Sequence, residues 1–169
     1  RRIASLVKPR EVAVNMFAGV GCFSVVMATH SKVERVFSID VNPFAFEFML
    51  KNIRLNRVQN KVVPVLGDAK KVVREQLTGV ADRVLMPLPE KAYEYLDSAL
   101  MTLKPCGGWI HSYDFVHAGK DENPVEKVRD KLTTKLNESN VNSDIHFRRV
   151  VRATGPYWFQ VVVDVLVTV

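Results

Sequence analysis

The chain has 169 residues, 47% of them hydrophobic and 25% charged, a profile that suits one folded domain and excludes a disordered segment. No apolar run approaches the ~20 residues that span a bilayer, and the two cysteines and four histidines lack metal-ligand spacing, so we expect no membrane association and no metal site. The formal net charge of +6 is compatible with a nucleic-acid partner.

The first residues, RRIASLVKPR, contain neither an initiator methionine nor the apolar stretch of a signal peptide. Cys22 and Cys106 lie far apart in the sequence, which is typical of a chain that stays reduced. We therefore expect a fragment of a longer, cytoplasmic protein.

The first part of the chain alternates apolar runs with amphipathic segments. Asn42 and Pro43 are a natural N-cap and first-turn proline for one of the helices. The apolar positions of that helix recur at spacings of three and four, which predicts one buried face with Phe46, Met49, Leu50 and Ile53. The pattern predicts strands at residues 11–17, 35–40 and 61–67, each followed by a helix, at 21–30, 42–58 and 69–77.

The second part continues this rhythm and then changes. It predicts a strand, a helix, a strand and a helix at residues 82–86, 90–103, 109–116 and 123–139. Two long strands, 144–153 and 157–169, then form an antiparallel hairpin around the turn TGPY. We predict one α/β domain over residues 1–169: a Rossmann-like, mostly parallel seven-stranded sheet with a C-terminal antiparallel hairpin and helices on both faces.

The stretch NMFAGVGCF follows the first strand directly and leads into a helix. Gly19 and Gly21 allow a sharp turn and a close approach of the backbone to a ligand. Ser24 stands where a GxGxxG sequence has its third glycine, which disfavours a dinucleotide, and no GxxxxGK[ST] sequence is present, which excludes a P-loop.

Two acids follow the next two predicted strands. Asp40 ends the second strand about 20 residues after the glycine loop, where a carboxylate binds ribose hydroxyls. Asp68 follows the third strand and is placed to accept from the amino group of an adenine; the alternative is an N-cap role for either acid. Together they predict an adenosine-containing ligand without a pyrophosphate, which points to S-adenosylmethionine.

The segments NMFAGVGCFSVV, SIDVNPFAFEFMLKNIRLNRV, DRVLMPLPEKAYEYLDSAL and GGWIHSYDF resemble the catalytic domain of archaeal and eukaryotic tRNA guanine-N1 methyltransferases. These enzymes modify the guanosine immediately 3′ of the anticodon. The resemblance implies a class I S-adenosylmethionine-dependent methyltransferase fold and tRNA as partner. A close relative on this scaffold transfers the aminocarboxypropyl group in wybutosine synthesis, and some archaeal members methylate a wyosine precursor.

The resemblance also implies which residues bind the cofactor. Asp40 is expected at the ribose with Val41 beside the adenine, and Asp68 and Ala69 at the adenine edge. Asn15 stands where the family has Asp and keeps a hydrogen-bonding oxygen without the charge. The methionine part is expected to be lined by Phe17, Ala18, Gly19, Val20 and Gly21.

A turn of Pro87, Leu88 and Pro89 ends the fourth predicted strand. The family has Asn-Leu-Pro here, and the Pro-Leu-Pro form resembles one archaeal subgroup with wyosine-precursor activity. We interpret the turn as a base-facing site whose fixed carbonyls accept from base N–H groups and whose Pro87 also borders the cofactor. The alternative is a helix entry with Pro89 in its first turn. The catalytic base of the family aligns just before Arg1, so Glu90 is not assigned that role.

Basic and aromatic residues near the C-terminus suit an RNA surface, since arginine binds phosphates and aromatic rings stack on bases. The candidates are Arg149, Arg152, Tyr157 and Trp158; the alternative for Trp158 is burial under the sheet. We expect a monomer. A non-catalytic RNA- or nucleotide-binding module that kept the fold is a further alternative.

Overall fold

A computed structural model describes residues 2–168, and a single seven-stranded sheet organises them. The strand order is β3-β2-β1-β4-β5-β7-β6, with the first five strands parallel and β7 antiparallel to both its neighbours. The predicted fold class is confirmed, including the C-terminal hairpin. The strands are β1 (Val12–Asn15), β2 (Arg35–Asp40), β3 (Val62–Leu66), β4 (Arg83–Met86), β5 (Gly108–His117), β6 (Asn142–Gly155) and β7 (Trp158–Thr168).

Helices cover both faces of this sheet. One apolar cluster joins Ile3, Met27 and Met49 on one face, and a second joins Val72 and Leu132 on the other. Among the described residues, none of the helices combines the length and apolarity needed to cross a bilayer. The helices are α1 (Arg2–Leu6), α2 (Cys22–His30), α3 (Pro43–Leu55), α4 (Ala69–Val72), α5 (Leu96–Thr102) and α6 (Pro124–Glu138), with a π-helical turn at Val73–Leu77 and a 3₁₀ turn at Pro89–Lys91.

The local signal predicted for the start of α3 is confirmed. The side chain of Asn42 accepts from the backbone N–H groups of Phe44 and Ala45, at 2.9 and 3.4 Å, and so caps α3. On the same helix Met49 and Ile53 are buried, while the other two predicted positions are half-buried. The capping oxygen satisfies donors that have no partner inside the helix, which explains why α3 begins at this residue.

The helix predicted at residues 90–103 begins later, at Leu96. The hydroxyl of Tyr93 donates to Asp114 Oδ2, and that of Tyr95 donates to Asp68 Oδ2, both at 2.6 Å. These bonds tie the segment to carboxylates in two other parts of the fold, so tertiary contacts outweigh its helical pattern.

A buried charge network lies at the amino edge of the sheet and was not predicted. Arg83 is 2% exposed and donates to both carboxylate oxygens of Glu11 at 2.9 and 3.1 Å and to the Leu6 carbonyl at 2.9 Å. Its Nη1 lies 2.6 Å from His111 Nε2, and His111 Nδ1 lies 2.7 Å from Asp164 Oδ1. The network joins α1, the residue that precedes β1, and strands β4, β5 and β7.

The turn of the hairpin lies at the opposite, carboxyl edge. Met86 at the end of β4 pairs with Ser112, and β5 continues to His117, which pairs with Trp158. The β6–β7 turn therefore projects beyond the carboxyl end of β4. This is the edge at which open α/β sheets bind their ligands.

Candidate functional site

A cleft of about 310 Å³ opens at the carboxyl ends of β1, β2, β3 and β4. It combines an acidic pair with aromatic and apolar walls, in the position expected for a ligand of this fold class. The cleft is lined by Met16, Phe17, Gly19, Asp40, Val41, Gly67, Asp68, Ala69, Pro87, Leu88, Lys91 and Tyr95.

The loop after β1 forms one wall of the cleft. Gly19 has a φ of +55°, and a Cβ at this position would meet nothing within 4 Å, so the backbone borders open space. The Gly19 N–H donates to Asp40 Oδ2 at 2.6 Å, and the Asn42 N–H donates to Asp40 Oδ1 at 2.9 Å. Asp40 thus anchors the loop to the end of β2 and keeps one acceptor position on each oxygen.

Asp68 forms the opposite wall. Its Oδ1 accepts from the N–H groups of Lys70 and Lys71 at 3.0 and 3.2 Å, so Asp68 is the N-cap of α4. The alternative raised by the sequence is therefore present in the structure. The same side chain lines the cleft, because its Oδ2 faces Tyr95 rather than α4.

The hydrogen bond between Tyr95 and Asp68 polarises both groups. Because the hydroxyl donates to it, the pKa of Asp68 is lowered, with the N–H groups of Lys71 and Lys70 adding to this effect against desolvation. The same bond, followed by burial, raises the pKa of Tyr95 to about 12. At neutral pH the site therefore holds an ionised carboxylate and a protonated hydroxyl.

The Pro87–Leu88–Pro89 turn contributes in two ways. Pro87 and Leu88 line the cleft, whereas Pro89 is buried and begins the 3₁₀ turn. The carbonyls of Leu88 and Pro89 accept from the N–H groups of Lys91 and Ala92 at 3.1 and 3.5 Å. The helix-entry alternative thus describes Pro89, and the cleft-facing part of the turn is Pro87 and Leu88.

Four predicted cofactor residues lie outside the cleft lining. Asn15 is fully buried; its Nδ2 lies 3.1 Å from Ser24 Oγ, and its Oδ1 has no hydrogen-bond partner among residues 2–168. Ala18 is buried beneath the loop, whereas Val20 and Gly21 border a separate cavity of about 280 Å³ between α2 and α3. The structure thus places these four residues behind or beside the loop surface that faces the cleft.

The predicted RNA residues lie together on the hairpin. Arg149 is exposed on β6, and Arg152 Nε donates to Gln160 Oε1 at 3.0 Å. Tyr157 is exposed in the turn, and Trp158 remains 46% exposed, so burial of its ring under the sheet is excluded. The hairpin therefore presents two guanidinium groups and two aromatic rings at the carboxyl edge.

Sequence reasoning missed Met16, Gly67, Lys91 and Tyr95 as cleft residues. Met16 and Gly67 are adjacent in sequence to predicted positions, so the same motifs could have indicated them. Lys91 and Tyr95 come from the segment after the proline turn, where a helical pattern gave no sign of a ligand-facing role. The described residues contain no group of histidine, cysteine, aspartate and glutamate able to hold a metal ion.

Comparison with known proteins agrees with this arrangement. Residues 1–142 match the family described as the TRM5/TYW2 methyltransferase domain. The chain belongs to this family. The matched region includes the glycine loop, both acids and the proline turn, so the cleft lies within it.

Three members of this family illustrate the range of relatives. The tRNA 4-demethylwyosine(37)-methyltransferase Taw21 of Saccharolobus solfataricus is 38% identical, over 97% of this chain and 57% of that protein. The tRNA (guanine(37)-N(1))-methyltransferase Trm5b of Pyrococcus abyssi is 35% identical, over 96% of this chain and 46% of that protein. The crystal structure of M. jannaschii TYW2 in complex with AdoMet superposes with a TM-score of 0.82 at 32% identity, over 99% of this chain and 73% of that one. The chain thus spans about half the length of the curated relatives it matches.

Proposed function

We propose that the cleft binds S-adenosylmethionine and that the protein transfers its methyl group to N1 of guanosine 37 in tRNA. The observation that carries this proposal is the position of Asp40, which ends β2, and of Asp68, which follows the neighbouring strand β3, since both line one cleft. Two carboxylates at the carboxyl ends of neighbouring strands suit the two hydrogen-bonding ends of an adenosine.

The residues present fit the nucleoside part of that cofactor. Asp40 retains acceptor positions for ribose hydroxyls after bonding Gly19 and Asn42. Val41 and Ala69 supply apolar contact for an adenine, and Asp68 accepts from its amino group. Gly19 leaves room for the methionine part to pass the loop. Phe17 borders the same space, while Ala18, Val20, Gly21 and Asn15 act in this proposal by shaping the loop.

The cofactor, when bound, would supply an electrophilic methyl on a sulfonium. The N1 lone pair of the base, with the N1 proton removed, would attack that methyl, and S-adenosylhomocysteine would leave. The protein's part is to align the base with that methyl. We assign the alignment to Pro87 and Leu88, since both face the cleft, with Pro89 fixing the turn. The proposal assigns the removal of the N1 proton to no residue of the cleft.

The hairpin is proposed as the RNA surface. Arg149 and Arg152 are placed to bind phosphates, and Tyr157 and Trp158 to stack on unpaired bases. Register shifts interrupt β6 at three places, and the strand carries arginines, both of which disfavour pairing with another edge strand. This supports a monomer. We also infer that residues 1–169 form one domain, because both apolar clusters pack on one sheet. We propose a cytoplasmic location, since the relatives are named as tRNA-modifying enzymes.

A wyosine precursor at the same tRNA position is a second candidate substrate. The relative with 38% identity is named for 4-demethylwyosine, and the Pro-Leu-Pro turn lacks the family's amide side chain. A tricyclic base needs fewer side-chain donors and more apolar contact than guanine, which Pro87 and Leu88 supply. Aminocarboxypropyl transfer is the remaining alternative, in which the carbon chain rather than the methyl faces the base.

Mass spectrometry of tRNA distinguishes these readings. Two proteins are tested: the 169-residue chain and the longest gene product that contains it. Each is incubated with S-adenosylmethionine and with tRNA that carries either guanosine or 4-demethylwyosine at the target position. The gain of one methyl supports the proposal and identifies the base; the heavier aminocarboxypropyl adduct supports the alternative. If neither product forms although the cofactor binds, the protein is a binding module.

A further inference from the structure

We infer that Tyr95 is a specificity-determining residue of the cleft, which holds the Asp68 carboxylate with one acceptor position left for the ligand and thereby selects a 6-amino purine over a 6-oxo purine. The inference rests on the proposed function, because it concerns the adenine end of the proposed cofactor site. No motif indicated this residue, and it reaches Asp68 across 27 positions of the chain.

The hydrogen bonds around Asp68 leave its carboxylate one acceptor position for a ligand. A carboxylate offers about four acceptor positions. Lys70 and Lys71 occupy those of Oδ1 through their N–H groups, and the Tyr95 hydroxyl occupies one on Oδ2 at 2.6 Å. One acceptor position on Oδ2 therefore remains, on the side chain that lines the cleft.

The Tyr95 hydroxyl is committed in the same way. Its only proton points to Asp68, so the oxygen offers the cleft lone pairs and no donor. An edge-to-face contact with Phe17 at 5.0 Å and the Lys70 ammonium at 4.5 Å from the ring centroid hold the ring in place. The side chain has little freedom to turn its hydroxyl toward another partner.

The side chains of Asp68 and Tyr95 thus present acceptors alone to the cleft. The exocyclic amino group of adenine brings protons to it, whereas the 6-oxo group of hypoxanthine brings another acceptor and leaves lone pairs opposed. A site whose buried polar groups are unpaired by the wrong ligand discriminates strongly against that ligand. The lowered pKa of Asp68 agrees with this polarity, since an ionised carboxylate has no proton to offer a carbonyl.

The test compares the affinities of S-adenosylhomocysteine and S-inosylhomocysteine by calorimetry. In Tyr95→Phe the ring and its contacts remain but Asp68 loses its fixed donor, so we expect the preference for the adenosine ligand to fall by about 3- to 10-fold. In Asp68→Asn the amide can turn its N–H₂ toward a carbonyl, and we expect the preference to fall further.

Tyr93→Phe is the matched control. Tyr93 also donates its hydroxyl to a carboxylate, Asp114 Oδ2, at 2.6 Å, but it borders a different cavity from the cleft. We expect this variant to keep the wild-type ratio of affinities even where it loses stability. Circular dichroism confirms that each variant is folded before titration.

The outcomes separate the two claims. A lower ratio in Tyr95→Phe with an unchanged ratio in Tyr93→Phe supports the inference. If Tyr95→Phe weakens both ligands equally or leaves the ratio unchanged, Tyr95 is only structural and the inference is wrong while the proposed function stands. If the folded wild-type protein binds neither ligand, both the inference and the proposed function are overturned.

Discussion

Arg83→Met should be among the most destabilising substitutions in this protein, although it lies far from the cleft. Methionine keeps an unbranched apolar side chain of similar length but removes the guanidinium that bonds Glu11, His111 and the Leu6 carbonyl. Glu11 is 8% exposed, so its charge cannot be fully rehydrated in the folded state. The variant leaves a carboxylate and a ring nitrogen buried without their donor.

The magnitude follows from that geometry. Removing one partner of a buried ion pair costs about 3–5 kcal/mol, which is a large share of the ~5–15 kcal/mol that stabilises a typical domain. The double variant Glu11→Gln with Arg83→Met removes the stranded charge, so it should be more stable than the single variant by about 1–2 kcal/mol. An exposed arginine at the amino edge, Arg35, should tolerate the same change within about 0.5 kcal/mol.

The assay is urea unfolding followed by circular dichroism at neutral pH, with the free energy extrapolated to water. Cofactor affinity measured below the transition should be unchanged, because the network lies at the edge of the sheet opposite the cleft. A cost for Arg83→Met within 1 kcal/mol of that for Arg35→Met, on the order expected for a surface site, would refute the reasoning. So would a double variant less stable than the single one.

Three further predictions concern the backbone, pH and RNA. Gly107→Ala should lower the free energy of unfolding in urea by more than ~2 kcal/mol, because the φ of Gly107 is +89° and a Cβ there would clash with the Val167 carbonyl oxygen. Gly79→Ala is the control: Gly79 has a φ of +70°, but a Cβ there would meet nothing within 4 Å, so the loss should be only about 1 kcal/mol. Burial lowers the pKa of His111 below its ordinary 6.5, so below that pH the unfolded chain binds a proton that the folded chain does not. The free energy of unfolding should therefore decline below about pH 6.5 by up to ~1.4 kcal/mol per pH unit. A stability profile that stays flat from neutral pH to pH 5 contradicts this. Arg149→Ala and Arg152→Ala should each weaken tRNA binding and reduce its salt dependence by about one counterion, whereas Arg35→Ala should do neither; equal effects of all three would argue against the hairpin as the RNA surface.

Asp164 makes a second pH-dependent contribution to stability in the same network. Burial alone would raise the pKa of Asp164, but hydrogen bonds from His111 and Arg2 outweigh it and lower the pKa to about 2. The stability that this carboxylate supplies is present above its unfolded pKa near 4 and is lost as the pH falls toward 2. Asp164→Asn should therefore flatten the acid limb of the unfolding curve in the same urea series.

The parts of the fold that were predicted from the sequence depend on local chemistry. Asn42 marks the start of α3 because an N-cap is read from a few adjacent residues, and it caps that helix as expected; Asn123 caps α6 in the same way. The alternation of strands and helices fixed the parallel sheet for the same reason. Asp40 and Asp68 were found because the ends of parallel strands meet at one edge.

The parts that were not predicted come from distant pairs. Arg83 and Glu11 are 72 residues apart, and the sequence around neither residue indicates a buried ion pair. Tyr95 reaches the cleft only because its segment leaves the helical pattern to bond Asp68. The glycine loop illustrates the limit of a motif, since its sequence places Asn15 beside the ligand while the folded loop buries that side chain beneath it.

Calorimetric titration of the folded chain with S-adenosylhomocysteine tests the central claim most directly. We predict saturable binding by the wild-type protein with one site per chain, and a loss of about 10- to 100-fold in affinity for Asp40→Ala, because a hydrogen bond to an ionised carboxylate is worth about 1.5–3 kcal/mol. No binding by the folded wild-type protein, or equal affinity of the Asp40→Ala variant, would contradict the assignment of the cleft.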